Sequence, residues 1–129
     1  MNLLNYWKPH FWWLWLSFVF VVSVIPSQQT SSSSWISYLQ IDKVFHLFSH
    51  AIAIFLIGIA LKSSKVNLAN NIKYTFIVVF MFLFGFFIEW FQGNYTLGRM
   101  FDVMDIVANT AGDFLGLFFL LYFLKSLKP

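Results

Sequence analysis

The chain has 129 residues, of which 60% are hydrophobic and only 10% charged, with 18 Phe and 6 Trp. Soluble domains carry about a quarter charged residues, so a water-soluble globule is excluded and lipid is the expected solvent. The absence of cysteine excludes disulfide and thiolate chemistry, and the net charge of +3 comes from bases scattered at the ends of apolar runs, not from a basic patch that would bind nucleic acid.

Four apolar stretches follow in chain order. The first covers residues 10–25 and stops at Pro26; with its start near Trp7 it predicts a span over about 7–26. Lys8 would also suit a secretory signal, but "VSVIPSQQ" offers no small-residue cleavage site, so a retained span is expected. A flexible Ser-rich linker, "SQQTSSSSWISYLQ", leads to the second span at about 43–61. The third runs over about 74–92 and the fourth over about 102–124. Each is near the roughly twenty residues that cross about 30 Å of hydrocarbon. The expectation is an all-α, polytopic membrane protein: four transmembrane helices in one compact bundle, a single domain over residues 1–129. Aromatic runs such as "HFWWLW" read as interfacial anchors.

The bases set the orientation. Lys8, Lys62, Lys65, Lys73, Lys125 and Lys128 flank one side, and only Lys43 and Arg99 flank the other. The positive-inside rule puts both termini and the 62–73 loop in the cytoplasm of a cell membrane.

The five acids then fall at one level. Asp42 opens the second span, Glu89 lies near the end of the third, and Asp102, Asp105 and Asp113 belong to the fourth. At 100° per residue, Asp102, Asp105, Asn109, Gly112, Asp113 and Gly116 lie within an arc of about 100°. Asp42, His46, Ser49, His50 and Ala53 share a stripe on the second helix, and Gly85, Glu89 and Gln92 on the third. A lipid-facing charge costs several kcal/mol, so the stripes are expected to face one another around a polar pocket open to the outside. Gly112 and Gly116 read as a small-residue packing pair, Gly85 as room for a neighbouring helix, and Asp42 as a possible N-cap with Lys43 reaching to the headgroups. Asp113 lies about 16 Å below Asp102, near the bilayer centre, where a structural hydrogen bond is expected in preference to a pocket floor.

Three pieces of sequence resemble the VanZ-like membrane proteins: "DKVFH" (42–46), "EWFQ" (89–92) and "RMFDVMDIVANTAG" (99–112). By that resemblance Asp42, Lys43, His46, Glu89, Gln92, Arg99, Asp105 and Asn109 are signature positions. His50 stands where the family more typically has an aromatic, and Asp113 where it has a small apolar residue. The founding member is associated with resistance to teicoplanin, a lipid-tailed glycopeptide, which implies a cell-envelope role.

Three uses of such a site are open. It could bind a membrane lipid, a lipid-linked envelope precursor or a lipidated antibiotic, with Lys43 and Arg99 meeting phosphate. It could be a membrane-embedded enzyme on a lipid-linked substrate, using His46, Glu89 and Asp105, with or without a divalent cation. Carboxylates favour Mg²⁺ or Ca²⁺, whereas His46 and His50 at i, i+4 would suit Zn²⁺. An ion carrier ranks last, because the fourth span is apolar from Leu115 inward apart from Gly116.

Overall fold

The computed structural model describes residues 11–26, 41–64 and 68–127. These residues form four helices and no strand: α1 (Phe11–Ser23), α2 (Ile41–Ser63), α3 (Asn70–Tyr95) and α4 (Val103–Ser126). At 1.5 Å per residue the last three are about 34, 39 and 36 Å long, enough to cross the hydrocarbon, and all three are apolar enough to do so. The shorter α1 is more apolar still; the expected start of its span at residues 7–10 lies outside the described residues, as do Lys8, Lys65 and Lys128. The protein is an all-α, multi-pass membrane bundle.

Helix α3 starts at Asn70, earlier than the apolar run suggests. Asn70, Asn71 and Lys73 continue its hydrogen-bonded ladder past the hydrocarbon-compatible stretch, since hydropathy marks what lipid covers and not where helical bonding stops. At its other end the chain turns through Gly98, whose φ of 74° suits a residue without Cβ. It enters α4 at Asp102, whose carboxylate accepts from the Met104 backbone N–H at 2.7 Å, a local N-cap.

Helices α2 and α4 make the most extensive interface. They run parallel, because His46 meets Asn109 and His50 meets Asp113, both 63 residues further on. A Cβ on Gly112 would collide with the Leu47 carbonyl oxygen, and one on Gly116 with the Ala51 carbonyl oxygen. The small-residue pair thus seats α4 directly on the α2 backbone, as the spacing predicts. Parallel seating puts the starts of α2 and α4 at one level. Helices α1 and α3 end at that level, where the Gln92 amide donates to the Ser23 carbonyl at 2.6 Å.

The bundle is therefore polar at one end and apolar beyond it. Leu16, Ala53, Ile54, Ile57, Ile77 and Met81 form the apolar core. Large apolar side chains such as Phe76, Leu83, Val107, Phe114 and Phe118 face outward, as lipid-exposed surface should. His46, His50, Glu89, Gln92, Asp105, Asn109 and Asp113 are instead buried.

Candidate functional site

Helix α2 carries His46 into the polar end, α3 carries Glu89, and α4 carries Asp105 and Asn109. His46 Nε2 lies 3.8 Å from Glu89 Oε1 and 3.7 Å from Asp105 Oδ2. One ligand atom from each residue falls within 4.8 Å of the other two. These separations exceed a hydrogen bond, so the three groups surround a point without bonding one another. Glu89 is 0%, His46 2% and Asp105 4% exposed. The pocket expected to be open is instead an enclosed polar centre.

Each member is held through its far atom. His46 Nδ1 lies 3.1 Å from Asn109 Oδ1. An amide oxygen only accepts, so Nδ1 donates, and in the neutral ring Nε2 then presents its lone pair to the acids. Asp105 Oδ1 accepts from Lys43 Nζ at 2.9 Å, leaving Oδ2 for the centre. Glu89 Oε2 accepts the Asp102 backbone N–H at 3.4 Å, while Oε1 is buried without a hydrogen-bond partner.

At the rim, Lys43 Nζ also donates to Asp102 Oδ2 at 2.7 Å. This bond, with the Met104 N–H after it, holds the Asp102 carboxyl below the usual carboxylate range. Lys43 thus spans to α4 instead of reaching only toward headgroups. Asp42, expected on the inward stripe, is exposed. The lysine stem reaches across to Asp102 and Asp105, whereas a third carboxylate there would meet two like charges. Arg99 sits half-buried in the turn before α4 and forms no ion pair with a described acid; its Nε is buried without a partner.

The other expected members lie apart. Gln92 is spent on the Ser23 carbonyl and ties α3 to α1. One turn deeper than His46, His50 Nδ1 meets Asp113 Oδ1 at 2.9 Å, with both side chains fully buried. The two histidines therefore do not act as one i, i+4 metal pair. Gly85 gives room to side chains, not to a helix backbone. A Cβ there would come within 2.8 Å of His50 Cε1 and 2.9 Å of Asn109 Nδ2.

Two contributors went unread in the sequence. Ser23 acts through its backbone carbonyl, which no side-chain pattern marks. Trp15, grouped with the interfacial aromatics, donates its indole N–H to the Ser49 carbonyl at 2.9 Å. A tryptophan in the middle of an apolar helix, needing a partner for that N–H, was the available signal.

The family model for VanZ/LLP1 matches residues 3–125, which takes in the polar centre and all four helices. No curated protein and no solved structure matches the chain. With nearly its whole length aligned to that model, the chain belongs to the VanZ/LLP1 family.

Proposed function

We propose that the polar end of the bundle receives the head group of a membrane lipid, a lipid-linked envelope precursor or a lipidated antibiotic of the teicoplanin kind, from the outer leaflet. The observation that carries this reading is Arg99. The Arg99 guanidinium, in the turn beside the rim, is within electrostatic reach of Glu89 yet forms no ion pair with a described acid and keeps a buried Nε without a hydrogen-bond partner, and its planar fork suits phosphate or carboxylate. Lys43 is by contrast committed to Asp102 and Asp105. The outward orientation rests on the lysine and arginine bias, with both termini cytoplasmic. Labelling introduced cysteines in intact cells tests it: Ser32→Cys is expected to react from outside and Ser64→Cys to be protected, and the opposite pattern would reverse the bundle.

Native mass spectrometry of the detergent-solubilised protein tests the binding reading. A polyprenyl phosphate or phosphatidylglycerol is expected to be retained in preference to phosphatidylcholine, with retention lost in Arg99→Gln. Equal retention of all three lipids, or no effect of Arg99→Gln in folded protein, contradicts it.

A second reading, a membrane-embedded enzyme on a lipid-linked substrate, is favoured by the convergence of His46, Glu89 and Asp105. Imidazole and carboxylate are the side chains that most often move protons in such chemistry, His46 acting at Nε2 only where no cation holds that atom. Turnover of a retained lipid, abolished by His46→Gln, would establish it over simple binding.

A further inference from the structure

We infer that His46, Glu89 and Asp105 form a binding site for one divalent transition-metal ion of the zinc type, held by one imidazole nitrogen and two carboxylate oxygens from three helices.

The free ligand atoms of the three side chains converge. His46 Nε2, Glu89 Oε1 and Asp105 Oδ2 all face one point, with nitrogen–oxygen separations of 3.8 and 3.7 Å. Ligands on a tetrahedral ion at about 2.1 Å lie about 3.4 Å apart. The two imidazole–carboxylate contacts close onto an ion by a few tenths of an ångström each, within the reach of carboxylate rotation, and the two carboxylate oxygens lie within 4.8 Å of each other.

Independently of the clustering of acids, Glu89 is fully buried, and its Oε1 has no hydrogen-bond partner. A buried carboxylate oxygen is costly to leave unsatisfied, and this one is aimed at the lone pair of His46. A cation between them satisfies both.

Metal-bound histidines almost always donate their other ring N–H to an oxygen, and bound carboxylates are themselves hydrogen-bonded. All three conditions are met at once: Asn109 on His46 Nδ1, Lys43 on Asp105 Oδ1, and the Asp102 N–H on Glu89 Oε2. A histidine buried only for packing needs one partner. It does not need two acids from different helices with their near oxygens left free.

The ligand set selects the ion class. One imidazole with two carboxylates suits zinc or manganese, whereas Mg²⁺ and Ca²⁺ prefer all-oxygen shells. Three protein ligands leave a coordination position for water or for an oxygen of a bound head group. The site does not depend on the lipid-binding reading, since lipid selectivity can fail while metal binding holds.

Calorimetric titration of Zn²⁺ into tag-free, chelator-treated, full-length protein in detergent tests the assignment. One equivalent is expected to bind and to resist competition by equal Mg²⁺ or Ca²⁺. His46→Gln and Glu89→Gln are each expected to lower affinity at least a hundredfold, and Asn109→Ala about 10–100-fold through loss of its hold on His46. Asp113→Asn, outside the site, is expected to bind as the parent does. Circular dichroism and gel filtration establish that each variant is folded. If a ligand variant fails to fold, the Co²⁺ complex of the parent protein decides, its visible bands reporting mixed nitrogen and oxygen ligation. Absence of saturable binding in the folded parent, displacement by equal Mg²⁺ or Ca²⁺, or parental affinity in a folded His46→Gln or Glu89→Gln protein overturns the proposal.

Discussion

His46 and His50 stand one helical turn apart on α2, and each points Nδ1 at the residue of α4 that lies 63 positions further along the chain, Asn109 and Asp113. Their other nitrogens differ. His46 Nε2 faces free oxygens of Glu89 and Asp105, whereas His50 Nε2 has no partner and the ring lies over Gly85. The same frame therefore yields a centre of unpaired polar atoms at the end of the bundle and a cross-brace one turn below it. What separates them is the third helix. At the upper level α3 presents Glu89; one turn lower, at Gly85, it presents no side chain.

The largest expected effect comes from forcing the shared frame apart. Gly112→Leu drives a side chain into the Leu47 carbonyl and toward His50 Cβ, and should prevent α4 from seating on α2. Overpacking of this kind costs about 1–3 kcal/mol, or more against backbone. Thermal unfolding and gel filtration are expected to show both rows lost together; survival of the upper row alone would mean that the two histidines do not share one frame.

The next effect isolates the lower row. Asp113→Ala leaves His50 buried without its partner and is expected to lower stability by about 1–2 kcal/mol, while Asp113→Asn keeps the hydrogen bond and stays close to the parent. A folded Asp113→Asn protein that loses function would move Asp113 from brace to site.

These effects also mark what the sequence made legible. The 100° spacing identified the buried stripes on three helices, because helical periodicity and the penalty for lipid-exposed charge leave such residues one place to go. It did not separate His46 from His50, since that depends on what α3 offers at each depth. Gln92 shows the same limit: its arc was right, but its amide closes on the Ser23 carbonyl of α1, a backbone partner 69 residues away that no side-chain pattern encodes. Asp42 shares the stripe yet is exposed, because Lys43 takes the position between the acids of α4.

The smallest effect lies at the rim. The Asp102 side chain is 42% exposed, so its pairing with Lys43 is screened and is worth no more than about 1 kcal/mol. Its folded pKa is depressed, so this stabilisation is present above the unfolded value of about 3.9 and is lost as pH falls through the lower folded value. In Lys43→Met the acid loss is expected to be smaller and to be complete at a higher pH, closer to the ordinary carboxylate range. An unchanged acid limb would show that the Met104 N–H, not Lys43, governs Asp102.

The central assignment is that the upper histidine row carries function and the lower row only holds it in place. Glu89→Gln and Asp113→Asn each replace one buried carboxyl by an amide of nearly the same shape, on opposite sides of that division. Both are to be expressed at matched levels in a teicoplanin-sensitive host in which the parent chain alters susceptibility. The account requires Glu89→Gln to abolish the parental effect and Asp113→Asn to preserve it; the reverse outcome, or equal behaviour of two folded variants, would contradict it.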